Sequence, residues 1–199
     1  MVSMTVMWAR GVLLALLLSG GTAAAESPPV VPYPGDYKTS LVRYAVVDRI
    51  DGLSRDLYVS RAGIEALKRD PRLREFPVGV LFALDVHRAK RVARDHRTGA
   101  PTFASGPDGH LARSKDERTL HLMQKIRAGS GSQNWAFGGF DPVTGAPLKL
   151  ELPGDCLLCH QAAVVSDMTF SLTLLKRFAE SGAVQYRLCA QPGRQVCPL

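Results

Sequence analysis

The sequence predicts an α+β domain, a mainly antiparallel β-sheet with flanking helices, and three observations carry that reading. Short runs such as Val78–Val86 and Trp135-Ala136-Phe137 are β-branched or alternating and too short for helices, so they read as strands. Arg97-Thr98-Gly99-Ala100-Pro101 and Ser105-Gly106-Pro107-Asp108-Gly109 are dense in turn residues and serve to join antiparallel neighbours. Two other segments carry helix start and stop signals instead.

Residues 1–25 precede the domain. Arg10, the apolar run Gly11–Leu18 and the small residues Thr22-Ala23-Ala24-Ala25 follow the order of an export signal cleaved after Ala25. The apolar run is well short of the ~20 residues that span a bilayer, which disfavours an anchor. The mature protein is therefore expected in the periplasm. Residues 26–36 contain four prolines and read as an extended tether, because proline fits neither a helix interior nor a central strand. Residues 37–199 remain as one domain, and 46% hydrophobic residues are enough for a core.

Within the domain, Arg61–Arg69 reads as a helix, with Ser60 able to cap it, Ile64 and Leu67 on a partial apolar stripe, and Asp70-Pro71 ending it. Thr119–Arg127 fits both periods, and the neighbouring turns favour a strand. The strand from Trp135 is expected to end at Gly138-Gly139. Asp167 can cap a last helix reaching Ser181, with Phe170, Leu174, Leu175 and Phe178 on one face and Gly182 as its stop.

The formal charge of +7 is spread through Arg49–Arg127 with acids interspersed and no aromatic stripe for stacking bases, so nucleic acid is excluded as the expected partner. What the charge supports is a mild preference for acidic redox partners or membrane surfaces.

The segment with chemistry is Cys156-Leu157-Leu158-Cys159-His160. Two thiols three residues apart can each add to a haem vinyl group, and the next histidine is then held against the iron. A zinc half-site or a redox dithiol also uses C-x-x-C. The adjoining His160, the export signal and the lack of a second C-x-x-C/H pair at zinc-finger spacing favour haem. The expectation is one covalent haem c per chain, on Cys156 and Cys159, with His160 as axial ligand. Cys189 and Cys197 lie in a loop-like tail, where the favoured reading is a disulfide worth roughly 2–3 kcal/mol and the alternative is two unpaired thiols. A sixth iron ligand would suit electron transfer, and an open site would admit small molecules. Met168, Met123, His87, His110 and His121 are the candidates for that position, each with an ordinary packing or surface role beside it.

Taken in order, Tyr33-Pro34, Phe76-Pro77-Val78-Gly79, Asn134-Trp135-Ala136-Phe137, the haem motif and Asp167-Met168-Thr169-Phe170 resemble the cytochrome P-460 family, which includes the cytochromes c′-beta. The resemblance spans Tyr33 to about Glu180. It implies a small, mostly antiparallel β homodimer with flanking helices and a haem whose distal side is open. Enzymatic members of the family oxidise hydroxylamine at a haem also cross-linked to a lysine, and that lysine falls at Leu84 in this sequence. Leucine has no nucleophilic nitrogen, and the nearest lysines, Lys68 and Lys90, lie outside the strand. Phe82 precedes Leu84 by two and projects to the same face, so the expected distal pocket is apolar. The expected function is binding of a small gas such as nitric oxide, with a periplasmic redox partner. The rivals are oxidation of hydroxylamine or a related nitrogen compound, and plain electron transfer.

Overall fold

The computed structural model describes residues 30–149 and 153–190. The export signal and Cys197 lie outside them. Among the described residues no helix is long and apolar enough to cross a membrane.

The fold is α+β, and its frame is a six-stranded sheet. In chain order the helices are α1 (Tyr37–Ser40), α2 (Arg61–Arg69), α3 (Pro153–Gln161) and α4 (Leu172–Ser181). The strands are β1 (Val42–Arg49), β2 (Leu53–Val59), β3 (Leu81–Ala89), β4 (Arg91–Arg94), β5 (Pro101–Phe103), β6 (Arg113–Lys125), β7 (Trp135–Phe140) and β8 (Gln185–Cys189). The large sheet runs β7-β6-β3-β2-β1-β8, and β4 with β5 forms a separate two-stranded ribbon. Every neighbour in the large sheet is antiparallel except β8, which lies parallel to β1. The helical stretch from α3 to α4 separates β7 from β8, and a chain returning after such a crossover can enter parallel to its neighbour.

Both faces of the sheet are covered. On one, α2 and α4 bring Ile64, Leu67, Leu174 and Leu175 against Val47, Val59, Phe82, Met123 and Trp135. On the other, Tyr37 of α1 packs with Tyr58, Ala83, Leu120, Leu122 and Phe140. Ahead of α1, Val30 forms a bridge to Phe137, Val31 is buried, the Tyr33 hydroxyl donates to the Pro142 carbonyl at 3.0 Å, and the chain turns at Gly35, whose φ is 58°. The β1–β2 turn requires Gly52: its φ is 82°, and a Cβ there would stand 2.2 Å from the Phe103 ring.

Three local expectations are corrected. Ser60 does not cap α2 with its side chain; its Oγ accepts the Leu81 amide at 3.2 Å and ties the helix start to β3. β7 continues through Gly138 and Gly139 to Phe140, because β6 supplies a partner along its whole length. The last helix begins at Leu172 instead of beside Asp167, whose side chain is turned into the core. Its end at Gly182 matches the sequence reading, with Gly182 at φ 69° and its amide donating to the Phe178 carbonyl.

Candidate functional site

α3 carries Cys156 and Cys159 at i and i+3, which places them on neighbouring positions of one helical face. Neither is in a disulfide, and Cys159 is exposed. Cys189 is disulfide-bonded, and the partner expected for it, Cys197, is outside the described residues.

His160 lies in the last turn of α3, half-buried, with its ring tilted between Phe137 and Phe170 at centroid separations of 5.2 Å each. Its Nδ1 is 2.6 Å from the Met168 carbonyl oxygen. A carbonyl only accepts, so Nδ1 carries the proton and donates it, and Nε2 is left with the lone pair. Burial pushes the imidazole pKa below its ordinary value, against the opposing pull of the Met168 carbonyl, so the neutral ring is favoured near pH 7. An oriented neutral imidazole with one nitrogen anchored to a carbonyl has the form of a metal-ligating histidine.

The anchoring carbonyl is itself held in place. Asp167 and Met168 have φ of 50° and 65°, a left-handed backbone that costs about 1–2 kcal/mol for each non-glycine residue. The Asp167 carboxylate fixes the corner by accepting from Lys125 Nζ at 2.7 Å, from Trp135 Nε1 at 3.2 Å and from the Phe76 amide at 2.8 Å. Asp167 stands before an apolar period, the ordinary cap signal, yet it is buried and lies outside α4. Its buried partner Lys125 stands at the end of a strand read only from its local alternation, so nothing local pointed to the pair.

Beside α3 the sheet is incompletely covered. Arg55 of β2, Leu84 and Val86 of β3, Thr119 and His121 of β6 and Phe137 of β7 share one face by register, and all are only half-buried. β3 and β6 are interior strands of the sheet, and Ala83, Asp85, His87, Leu120 and Leu122 on their other face are buried. A central sheet surface left open beside two thiols and an anchored imidazole fits a flat, largely apolar group such as haem.

Leu84 lies on this open surface. Phe82 is beneath it in the closed core, edge-on to Phe76 at 5.1 Å and tilted against Trp135 at 6.1 Å. The recess also holds Arg55 and His121, so it is more polar than Phe82 and Leu84 alone implied. Of the candidate sixth ligands, Met168 and Met123 are packed in the core, His87 is buried on the opposite face near Asp85, and His110 lies edge-on against Tyr186. His121 is the one that faces the recess. Lys68 is on α2, and Lys90 lies just beyond the end of β3.

A second cluster, Asp56, Asp85 and His87, has ligand atoms close enough to surround a metal ion. Its carboxylates are already neutralised: Asp56 by both terminal nitrogens of Arg113, and Asp85 by Arg118 at 2.7 Å. No surplus negative charge is left for a cation, so the cluster is a buried salt-bridge network.

A family model described as cytochrome P-460 matches residues 34–171. The matched span contains every residue of the recess, α3, and the Asp167-Met168 corner that anchors His160. A comparison with curated proteins finds no match.

Proposed function

Because the chain belongs to the cytochrome P-460 family, whose members hold haem, we propose that it is a c-type cytochrome with a ligand-accessible iron. On this reading Cys156 and Cys159 would form the two thioether bonds and His160 Nε2 would ligate the iron. The observation that carries it is the bond from His160 Nδ1–H to the Met168 carbonyl, which anchors the ring through one nitrogen and keeps the other for iron. The haem would supply an iron able to bind diatomic gases. The chain's own residues orient the imidazole, and Arg55, Leu84 and His121 would set the polarity around the bound group.

Ligand binding is favoured over plain electron transfer because Met168 and Met123, the sulfur donors nearest the motif in sequence or on the same sheet face, are consumed by core packing. Hydroxylamine oxidation is disfavoured by Leu84, which offers no nitrogen where the resemblance places the cross-linking lysine. Nitric oxide is the proposed ligand and the periplasm the proposed compartment.

The test is purification from an exporting host. Denatured protein should keep haem-dependent peroxidase staining on a gel, Cys156→Ala with Cys159→Ala should abolish it, and the reduced protein should change its optical spectrum with nitric oxide. Extraction of haem from wild type into acidified organic solvent would refute covalent attachment. A gas-inert, six-coordinate spectrum would give the protein to electron transfer.

A further inference from the structure

The recess contains two polar side chains to which haem attachment assigns no task. Register places Arg55, Val86 and Thr119 in one row across β2, β3 and β6, and Leu57, Leu84 and His121 in the adjacent row. Arg55 and His121 therefore stand on one face, two strands apart and one step offset, with Leu84 between them.

Arg55 lacks the partner its burial calls for. Its Nε is buried without a hydrogen bond, and Asp51, whose charge favours the guanidinium, is bonded to Arg49 at 3.2 Å. Burying an uncompensated guanidinium is costly, and the cost is relieved when an anion completes it. Burial lowers the Arg55 pKa, with Arg49 lowering it further and Asp51 opposing, and the charge of Arg55 in turn helps to lower that of His121 on the same sheet face. His121 is steadied by Thr119, whose Oγ1 is 3.1 Å from His121 Nε2, and this leaves Nδ1 as the ring's second hydrogen-bonding atom.

We propose that Arg55 and His121 form a hydrogen-bonding subsite that recognises a small anionic ligand of the iron, with Leu84 as the apolar floor between them. The inference rests on the haem reading above, not on nitric oxide as the ligand, and gives the iron a second ligand class beside the gas. Guanidinium binds anions through charge-assisted hydrogen bonds, which an uncharged diatomic gas does not need. The negative charge could come from an external anion or from a haem propionate. The two sources differ in what removing the guanidinium does: loss of an anion site leaves haem in place, whereas loss of a propionate partner loosens it.

The experiment is azide titration of the ferric holoprotein and carbon monoxide titration of the ferrous form, for wild type, Arg55→Met and His121→Phe. Arg55→Met should weaken azide binding about tenfold or more while carbon monoxide affinity stays within about twofold, since only the anion loses a charged hydrogen bond. His121→Phe should shift the same ratio in the same direction. Unchanged azide affinity in Arg55→Met, or equal weakening of both ligands, would overturn the subsite. So would failure of Arg55→Met to retain haem, which would assign the arginine to a propionate, or a low-spin wild type that takes up azide only after His121→Phe, which would make His121 an iron ligand. If the haem reading itself fails, the wild type shows no haem absorption before any titration begins.

Discussion

Lys125 Nζ and the Asp167 carboxylate meet at 2.7 Å in the interior, where both side chains are essentially inaccessible to water. Lys125 also donates to the Gly129 carbonyl at 2.9 Å and lies 4.9 Å from the Trp135 ring centroid. The pair therefore joins the end of β6 to the corner whose next residue, Met168, anchors His160. A charge pair so deeply buried is a poor source of net stability, yet breaking it leaves an uncompensated charge. Its value here is positional.

Asp167→Leu should destabilise the fold by about 3–5 kcal/mol, because Lys125 is then buried alone. Lys125→Met combined with Asp167→Leu should cost less than Asp167→Leu by itself. Full recovery is not expected, since Trp135 and the Phe76 amide still lose their acceptor. Chemical denaturation of the three proteins measures this. In holoprotein that remains folded, Asp167→Asn should also shift the reduction potential through the loosened His160 anchor, an effect that simple loss of stability does not produce.

Leu84 and Phe82 should separate cleanly despite sharing a sheet face. Leu84→Ala enlarges the open recess and should speed carbon monoxide association with the reduced protein at modest cost in stability. Phe82→Ala removes a ring packed on Phe76 and Trp135 and should cost about 3–5 kcal/mol. Flow spectroscopy and denaturant unfolding on both variants check the assignment. Faster association in Phe82→Ala but not in Leu84→Ala would reverse the two roles.

The haem peptide released by proteolysis should have the mass of two thioether bonds and nothing more. Leucine at position 84 cannot cross-link, and Lys125 is held by Asp167. Mass spectrometry of the haem peptide decides the matter, and a peptide containing haem joined to Lys68 or Lys90 would restore the hydroxylamine reading.

Acid stability should depend on Asp85. Burial pushes its carboxyl up, but contacts with His87, Arg118 and Tyr37 outweigh that and hold it well below the usual carboxylate range. The His87 contribution is a close charge contact at 3.3 Å, with Nε2 not aligned for a hydrogen bond. A carboxyl depressed in the folded state binds its proton first in the unfolded chain. Its stabilisation is thus present above the unfolded value of about 3.9 and is lost as pH falls towards the folded value. Asp85→Asn should be less stable than wild type at pH 7, and the gap should narrow between about pH 4 and 2 as the wild type loses this contribution. Denaturant midpoints across that range test it, and a gap that stays constant would remove Asp85 from the acid response.

By itself the sequence determined the local features of this protein. The Cys156–His160 spacing, the span of α2, the Gly182 stop and the strand character of β3, β6 and β7 all follow from covalent geometry, capping chemistry and period-two alternation, which act over a few residues. β1 and β2 escaped that reading because Asp48, Arg49, Arg55 and Asp56 interrupt their apolar alternation, and two of these charges find partners far along the chain, Asp56 in Arg113 and Asp48 in the Leu111 amide. β8 escaped it because a parallel edge strand is selected by β1, which lies more than a hundred residues earlier. Only the tertiary structure decided that Asp167 faces Lys125 instead of capping a helix, that Met168 serves through its carbonyl and not its sulfur, and that Arg55 and His121 share a face with Leu84. Each of those outcomes depends on sheet register and burial, and a one-residue slip in either would send the same side chains to the opposite side of the sheet.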